Sequence, residues 1–277
     1  MTGTDITKIQ TGGDAIASVL AGDGKKKYGR FVFAALGSIP WVGGVIAASS
    51  ALHAEHEQGR INEMVGRWLE EHREKMNSLG SAIQQIAARM DQFEGELADE
   101  VDRRLNDDQY LTLVRRGFRA WDRSNSSEKR DFIRRSLANA AATRICTDDV
   151  VRLFLDWIDK YDEIHFAVIR ALYQNRGATR AYIWDQIHGK EVREDSAEAD
   201  LYKLLISDLS TGHVLRQIRD KNIHGQFLAK RRQSRQPQRT VLESAFENTK
   251  PYELTELGSQ FVHYVMNEVA PRVGDGS

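Results

Sequence analysis

From Ile61 to Val101 the chain repeats one spacing with little interruption. Ile61, Val65, Trp68, His72, Met76, Leu79, Ile83, Ile86, Met90, Phe93, Leu97 and Val101 follow one another at steps of three or four residues. The residues between them are mostly Glu, Arg, Asp, Gln and Lys. Alternating steps of three and four average near 3.5, the period of a coiled-coil seam. The spacing predicts one amphipathic helix from Gly59 to about Leu105, roughly 65 to 70 Å long. A helix of that length cannot cover its own apolar face. It requires antiparallel partners from the same chain or a second copy, so packing within the chain, a protein partner or self-association through this helix is expected.

Just before it, residues 31–54 read FVFAALGSIPWVGGVIAASSALHA, 24 residues without Asp, Glu, Lys or Arg in a chain that is 29% charged. About 20 apolar residues suffice to cross a bilayer. Lys25, Lys26, Lys27 and Arg30 form a basic flank of the kind that holds a membrane segment's end in the cytoplasm. Gly37, Pro40, Gly43 and Gly44 break the run with turn signals, and six alanines and three serines make it only mildly apolar. The expectation is therefore a hairpin of two short helices, about 29–37 and 43–57, joined by IPWVGG. Such a hairpin either packs as core of a soluble protein or is stored there and inserted into a bilayer, as in helical pore-forming toxins. Its candidate membrane-facing residues are Phe31, Phe33, Leu36, Ile39, Pro40, Trp41, Val42, Gly43 and Gly44.

After the long helix the pattern continues as shorter helices, with breaks at Asn106–Asp107, Ser124–Ser127 and Thr147–Asp148. Each break offers an oxygen to cap the next helix and acids to complement its dipole. The last hundred residues change character. DEIHFAVIRALYQNRG, RAYIWDQIHG and a segment capped by Ser196 read as three helices. The third ends at Thr211–Gly212 and passes into Val214, Leu215, Gln217 and Ile218, an apolar–polar alternation. A long basic loop follows, then a short strand at Tyr252–Leu254 and a closing helix capped by Thr255.

The order from 165 to 268, with LLISDLSTGHVLRQIR and YELTELGSQF, resembles winged-helix domains. The resemblance puts Leu201–Leu209 in the recognition position. A second stretch is similar to the bacterial abortive-infection alpha family, through Phe132, Leu137, Ala138, Asn139, Ala140, Phe154, Leu155, Ile158 and Ile169. That family implies a role in phage defence without an established chemistry. The expected architecture is mainly α. Residues 1–30 form a polar, partly flexible start, and 31–160 a helical bundle with the apolar hairpin and the coiled-coil-like helix. Residues 161–270 form a winged helix with a small β wing.

Net charge is −1, so binding to nucleic acid or membrane has to come from local clustering. One cluster exists. Lys221, Lys230, Arg231, Arg232, Arg235 and Arg239 lie in a window without acids, suited to non-specific phosphate contact or to a protein surface. The recognition-position helix is acidic at Glu198, Asp200 and Asp208, with Lys203 its basic residue, which is a poor set for reading bases.

His53, Glu55, His56 and Glu57 give two histidines one turn apart, but no HExxH follows, and a polar helix end is the plainer reading. Cys146 is the one cysteine, so an internal disulfide is excluded and a reducing cytoplasm is expected. The N-terminal residues carry no basic stretch followed by an apolar run, so no secretory signal is expected. No P-loop, GxGxxG or GxSxG occurs. Neither catalysis, a cofactor nor a metal is expected. The reading is an interaction or effector protein, with a DNA-associated regulator as its rival.

Overall fold

Side-chain oxygens set where the helices start. Asp107 accepts from the Gln109 amide, Ser126 from Lys129, Thr179 from Tyr182, Ser196 from Ala199 and Thr255 from Gly258. Each satisfies an amide that has no partner within its own helix. The computed structural model describes residues 24–44, 59–93, 95–143, 145–190, 192–218 and 244–267, with side chains from Lys27 and from His72 in the first two stretches. These residues are mainly helical with a small two-stranded sheet. They divide into two units between Lys160 and Tyr161.

The first unit contains α1 (Gly24–Gly37), α2 (Gly59–Met90), α3 (Glu96–Leu105), α4 (Asp108–Arg123), α5 (Ser127–Ala142) and α6 (Asp148–Lys160). Helix α5 packs against α2, α3, α4 and α6. Phe132, Ile133, Ser136, Leu137, Ala138, Asn139, Ala140 and Ala141 are buried around most of its circumference, the mark of a central helix. Its small residues let neighbours come close. On α4, a Cβ added at Gly117 would lie 2.9 Å from a Leu137 methyl. Helix α1 lies on α4, with contacts to α2 and α3.

Two expectations about this unit need correction. The region 59–105 is two helices, not one. Helix α2 has 32 residues, about 48 Å. The chain turns at Asp91–Gln92, and Gly95 at φ 62° occupies the left-handed region before α3 starts. Leu79, Ile83, Ile86 and Met90 are fully buried, so this part of the seam is covered inside the chain by α5 and α1. Beyond the turn the register fails: Val101 is buried, but Leu97 is 46% exposed. The hairpin is also displaced. Helix α1 begins at Gly24, five residues before the expected start at 29, and the turn is at Ser38–Ile39. Residues 40–44 are already helical, with Pro40 opening the stretch. Proline suits the first helical position because the amide it lacks has no intrahelical partner there. Gly43 and Gly44 thus lie in helix, not in the turn.

The second unit contains α7 (Glu163–Gln174), α8 (Arg180–Ile187), α9 (Ala197–Thr211), β1 (Leu215–Gln217), β2 (Tyr252–Leu254) and α10 (Glu256–Phe261), which continues as one π-helical turn, Val262–Met266. The strands pair antiparallel, Leu215 with Leu254 and Gln217 with Tyr252. The segment between α7 and α8 adds to β2: Gly177 N–H donates to Tyr252 O and Tyr252 N–H to Ala178 O, both at 2.9 Å. Between α9 and β1, His213 takes the left-handed conformation at φ 57°, while Gly212 stays at φ −72°. Gly212 is needed for room, since a Cβ there would meet the Tyr161 hydroxyl at 1.9 Å.

The division of the seam has a measurable consequence. Ile83→Ala is expected to destabilise by about 2–5 kcal/mol, while Leu97→Ala stays within about 0.5 kcal/mol, both read from chemical denaturation. A continuous helix with one seam would make the two losses comparable.

Candidate functional site

Of the apolar stretch, residues 31–44 are largely committed to their own unit, while 45–54, and with them most of the expected second helix, lie outside the described residues. Phe31, Ile39 and Val42 are buried, and Leu36 and Trp41 are half-buried. Phe31 meets Phe118 edge-on with ring centroids 6.3 Å apart. The Trp41 indole N–H donates to Asp122 at 2.6 Å. Phe33, 73% exposed, together with Pro40, Gly43 and Gly44, faces out. Of the basic flank, the side chains of Lys27 and Arg30 are described, and both are engaged; those of Lys25 and Lys26 lie outside the described residues. Lys27 pairs with Asp91 and Asp102 at 3.2 and 3.4 Å. Arg30 pairs with Asp108 at 2.6 Å and donates to Asn106 O. The Tyr28 hydroxyl bonds Asp91, and burial with that carboxylate keeps the phenol protonated far above its ordinary range. Among the described residues no helix is long and apolar enough to cross a membrane.

Of the predicted cations, Lys203 alone is described; Lys221, Lys230, Arg231, Arg232, Arg235 and Arg239 lie outside the described residues, as do His53, Glu55, His56 and Glu57. Lys203 sits 3.8 Å from both Glu194 and Asp200, so its charge is answered within the unit. On the same helix Leu201 and Leu204 are 47% and 55% exposed. Three residues apart, they share one outer face of α9, alongside exposed Glu198 and Asp200. The opposite face, with Tyr202, Leu205, Ile206 and Leu209, is buried. There Tyr202 joins an aromatic cluster, with Trp184 at 5.2 Å and Phe246 at 5.9 Å, while its hydroxyl donates to Arg180 O at 2.6 Å.

Glu253 fixes the sheet beneath this helix. Its buried carboxylate accepts from Arg176 Nε and Nη2 at 3.1 and 2.8 Å and from Arg216 Nε at 2.9 Å. Burial alone would raise its pKa, but the bonds from Arg176 and Arg216 outweigh that and hold it below the usual carboxylate range. Glu194 has a comparable role in a loop, accepting from the Ala245 amide at 2.9 Å and from the Ser244 hydroxyl.

Among the described residues of the first unit, two clefts are of interest. One, about 630 Å³, lies where α3 and α5 end and α4 and α6 begin. Arg104 spans it, pairing with Asp107 and Asp148 and donating to Ala140 O. Cys146 lies on its wall, and burial pushes the thiol up to about 11. A thiol held that high is a poor nucleophile at neutral pH. The second cleft, about 430 Å³, runs between α2 and α5. Sequence reading missed both, because their residues come from separate helices. Among the described residues no group of three His, Cys, Asp or Glu is placed to hold a metal ion. No protein-family model, curated protein or solved structure matches this chain.

Two outcomes follow from these environments. At neutral pH Cys146 is expected to react with iodoacetamide more than about tenfold slower than a free thiol, measured by mass spectrometry. For Glu253, the stability given by its lowered pKa is present above about pH 4.3, the unfolded value, and is lost as pH falls through the folded value. Glu253→Gln should lower stability at neutral pH by about 2 kcal/mol and flatten the acid limb of the stability–pH profile.

Proposed function

We propose that the chain is a non-enzymatic interaction protein whose carboxy-terminal unit is a winged helix turned to protein recognition. The outer face of α9 carries this reading. In a winged helix this is the recognition position, and here it offers exposed Leu201 and Leu204 beside Glu198 and Asp200. Phosphate repels such a face, and base edges call for Arg, Asn or Gln. An apolar pair ringed by acids suits a protein partner instead. Three helices, a strand, a long connection, a strand and a helix support the winged-helix assignment, as does the pairing of Gly177–Ala178 with β2.

Within this reading the amino-terminal unit is the effector part. Its similarity to the abortive-infection alpha family supports a defence role. Any action of the hairpin on a bilayer requires α1 to leave α4, because Phe31, Ile39 and Val42 are buried. Coiled-coil pairing between copies is not open to Leu79–Met90, which are covered within the chain, and the side chains of Ile61, Val65 and Trp68 lie outside those described. The rival is a DNA-associated regulator that holds phosphate through Lys221, Lys230, Arg231, Arg232, Arg235 and Arg239.

Site-specific photocrosslinking at Leu204 in the native host separates the two. The expected product is a discrete protein adduct, reduced about tenfold by Leu201→Asp. A nucleic-acid adduct at Leu204, or sequence-dependent duplex binding that Lys203→Ala abolishes, overturns the proposal in favour of the regulator.

A further inference from the structure

The cleft between α2 and α5 has no part in that reading, yet of the two it is the one lined with cations in excess. Helix α2 turns a polar strip to it, Asn77, Ser78, Ser81 and Gln85, at spacings that keep one face. From α5 come Arg130, Asp131 and Arg134. The wall therefore has two guanidinium groups against one carboxylate. That carboxylate is already engaged, since Arg134 Nε donates to Asp131 at 3.3 Å and Arg135 lies 4.0 Å from its other oxygen.

Arg130 is left over. Its guanidinium lies over the Trp121 ring at 4.6 Å, which fixes the plane of the fork. Among the described residues no carboxylate lies within ion-pair distance of it, and its Nε is buried without an acceptor. Asn77 Oδ1, in the same cleft, is also buried without a donor. In the larger cleft Arg104 and Arg152 pair with aspartates, and Arg103, which has no ion pair among the described residues, is exposed in a lining that also holds four carboxylates, Glu100, Asp107, Asp148 and Asp149. A water molecule would satisfy the Arg130 N–H but leave the cation unneutralised, whereas an oxyanion does both.

We propose that this cleft binds the phosphoryl group of a small phosphate-bearing molecule. Arg130 supplies a planar fork, pre-set by Trp121, for two phosphoryl oxygens. The hydroxyls of Ser78 and Ser81 approach from the other helix. Ser81 is free to donate, because it accepts from Gln85 Nε2 at 2.9 Å and so keeps its own proton. Asn77 contributes a further donor once its amide is turned, which reverses oxygen and nitrogen in the same outline. About 430 Å³ is within the size range of small-ligand sites.

Calorimetric titration of the full chain tests this with three probes: inorganic phosphate, pyrophosphate and adenosine monophosphate. The expected result is saturable one-to-one binding of at least one probe, weakening as salt rises. Equal affinity for phosphate and the nucleotide identifies free phosphate as the ligand; tighter nucleotide binding identifies a phosphate ester. Ser81→Asp puts a carboxylate into the cleft from an exposed position and should weaken binding at least about tenfold. Gln85→Glu, one turn further along, should act in the same direction, while Ser81→Ala, which removes one donor and adds no charge, weakens binding less than Ser81→Asp does. Absence of saturable binding with all three probes overturns the proposal. So does binding by Ser81→Asp and Gln85→Glu at the wild-type affinity.

Discussion

The close approach of helices around Ser136–Ala141 governs the first unit. Helix α5 touches four other helices, and it does so with side chains that are mostly a methyl or a hydroxymethyl group. Ser136 hides its hydroxyl by donating back to Phe132 O at 2.7 Å. Tyr110 of α4 brings its own hydroxyl to Leu137 O at 3.1 Å, a spare acceptor valence on a carbonyl inside the helix. Thin packing of this kind leaves little free volume, so a larger side chain anywhere on this stretch displaces a backbone and not only a rotamer. The same unit also buries the large side chains Phe118, Phe132, Phe154 and Trp157.

The second unit is organised differently, around one buried charge. Glu253 points from a three-residue strand and is met by guanidinium groups from the neighbouring strand and from the turn after α7. A sheet of two short strands is marginal by itself. Here it is held by Arg176 and Arg216, by the added hydrogen bonds at Gly177 and Ala178, and by the tight junction at Gly258, where a Cβ would strike Val214 O at 2.1 Å. The sheet in turn sets the exit of α9, and with it which side of that helix is covered.

Local chemistry was legible in the sequence, and long-range geometry was not. The caps at Asp107, Ser126, Ser196 and Thr255 depend on residues two or three apart, so a reading of neighbours finds them. Strand Tyr252–Leu254 is visible for the same reason. The break after Met90 is hidden because a short turn happens to preserve the apolar spacing from Met90 to Val101. What accompanies it, the Tyr28–Asp91 bond and the conformation of Gly95, involves a partner 63 residues away and a dihedral angle. Helix α1 takes in Lys27 and Arg30, which look like a flanking charge run in the sequence but pair with Asp102 and Asp108 on other helices. The polar cleft left no trace in the sequence at all. Its serines and arginines are ordinary surface residues until α2 and α5 are laid side by side.

A central helix that arrives late has a cost during synthesis. Helices α1 and α2 are made before α5, so Leu79, Ile83, Ile86 and Met90 precede by some 50 residues the α5 surface that supplies most of their cover. Helices α4, α5 and α6, adjacent in sequence, assemble with short loop closures and form the natural nucleus. Until that nucleus docks onto it, the nascent chain carries an unshielded apolar ridge, the kind of surface that chaperones hold. The layout thus fixes an order of assembly in which the first-made segments are the last to be sheltered.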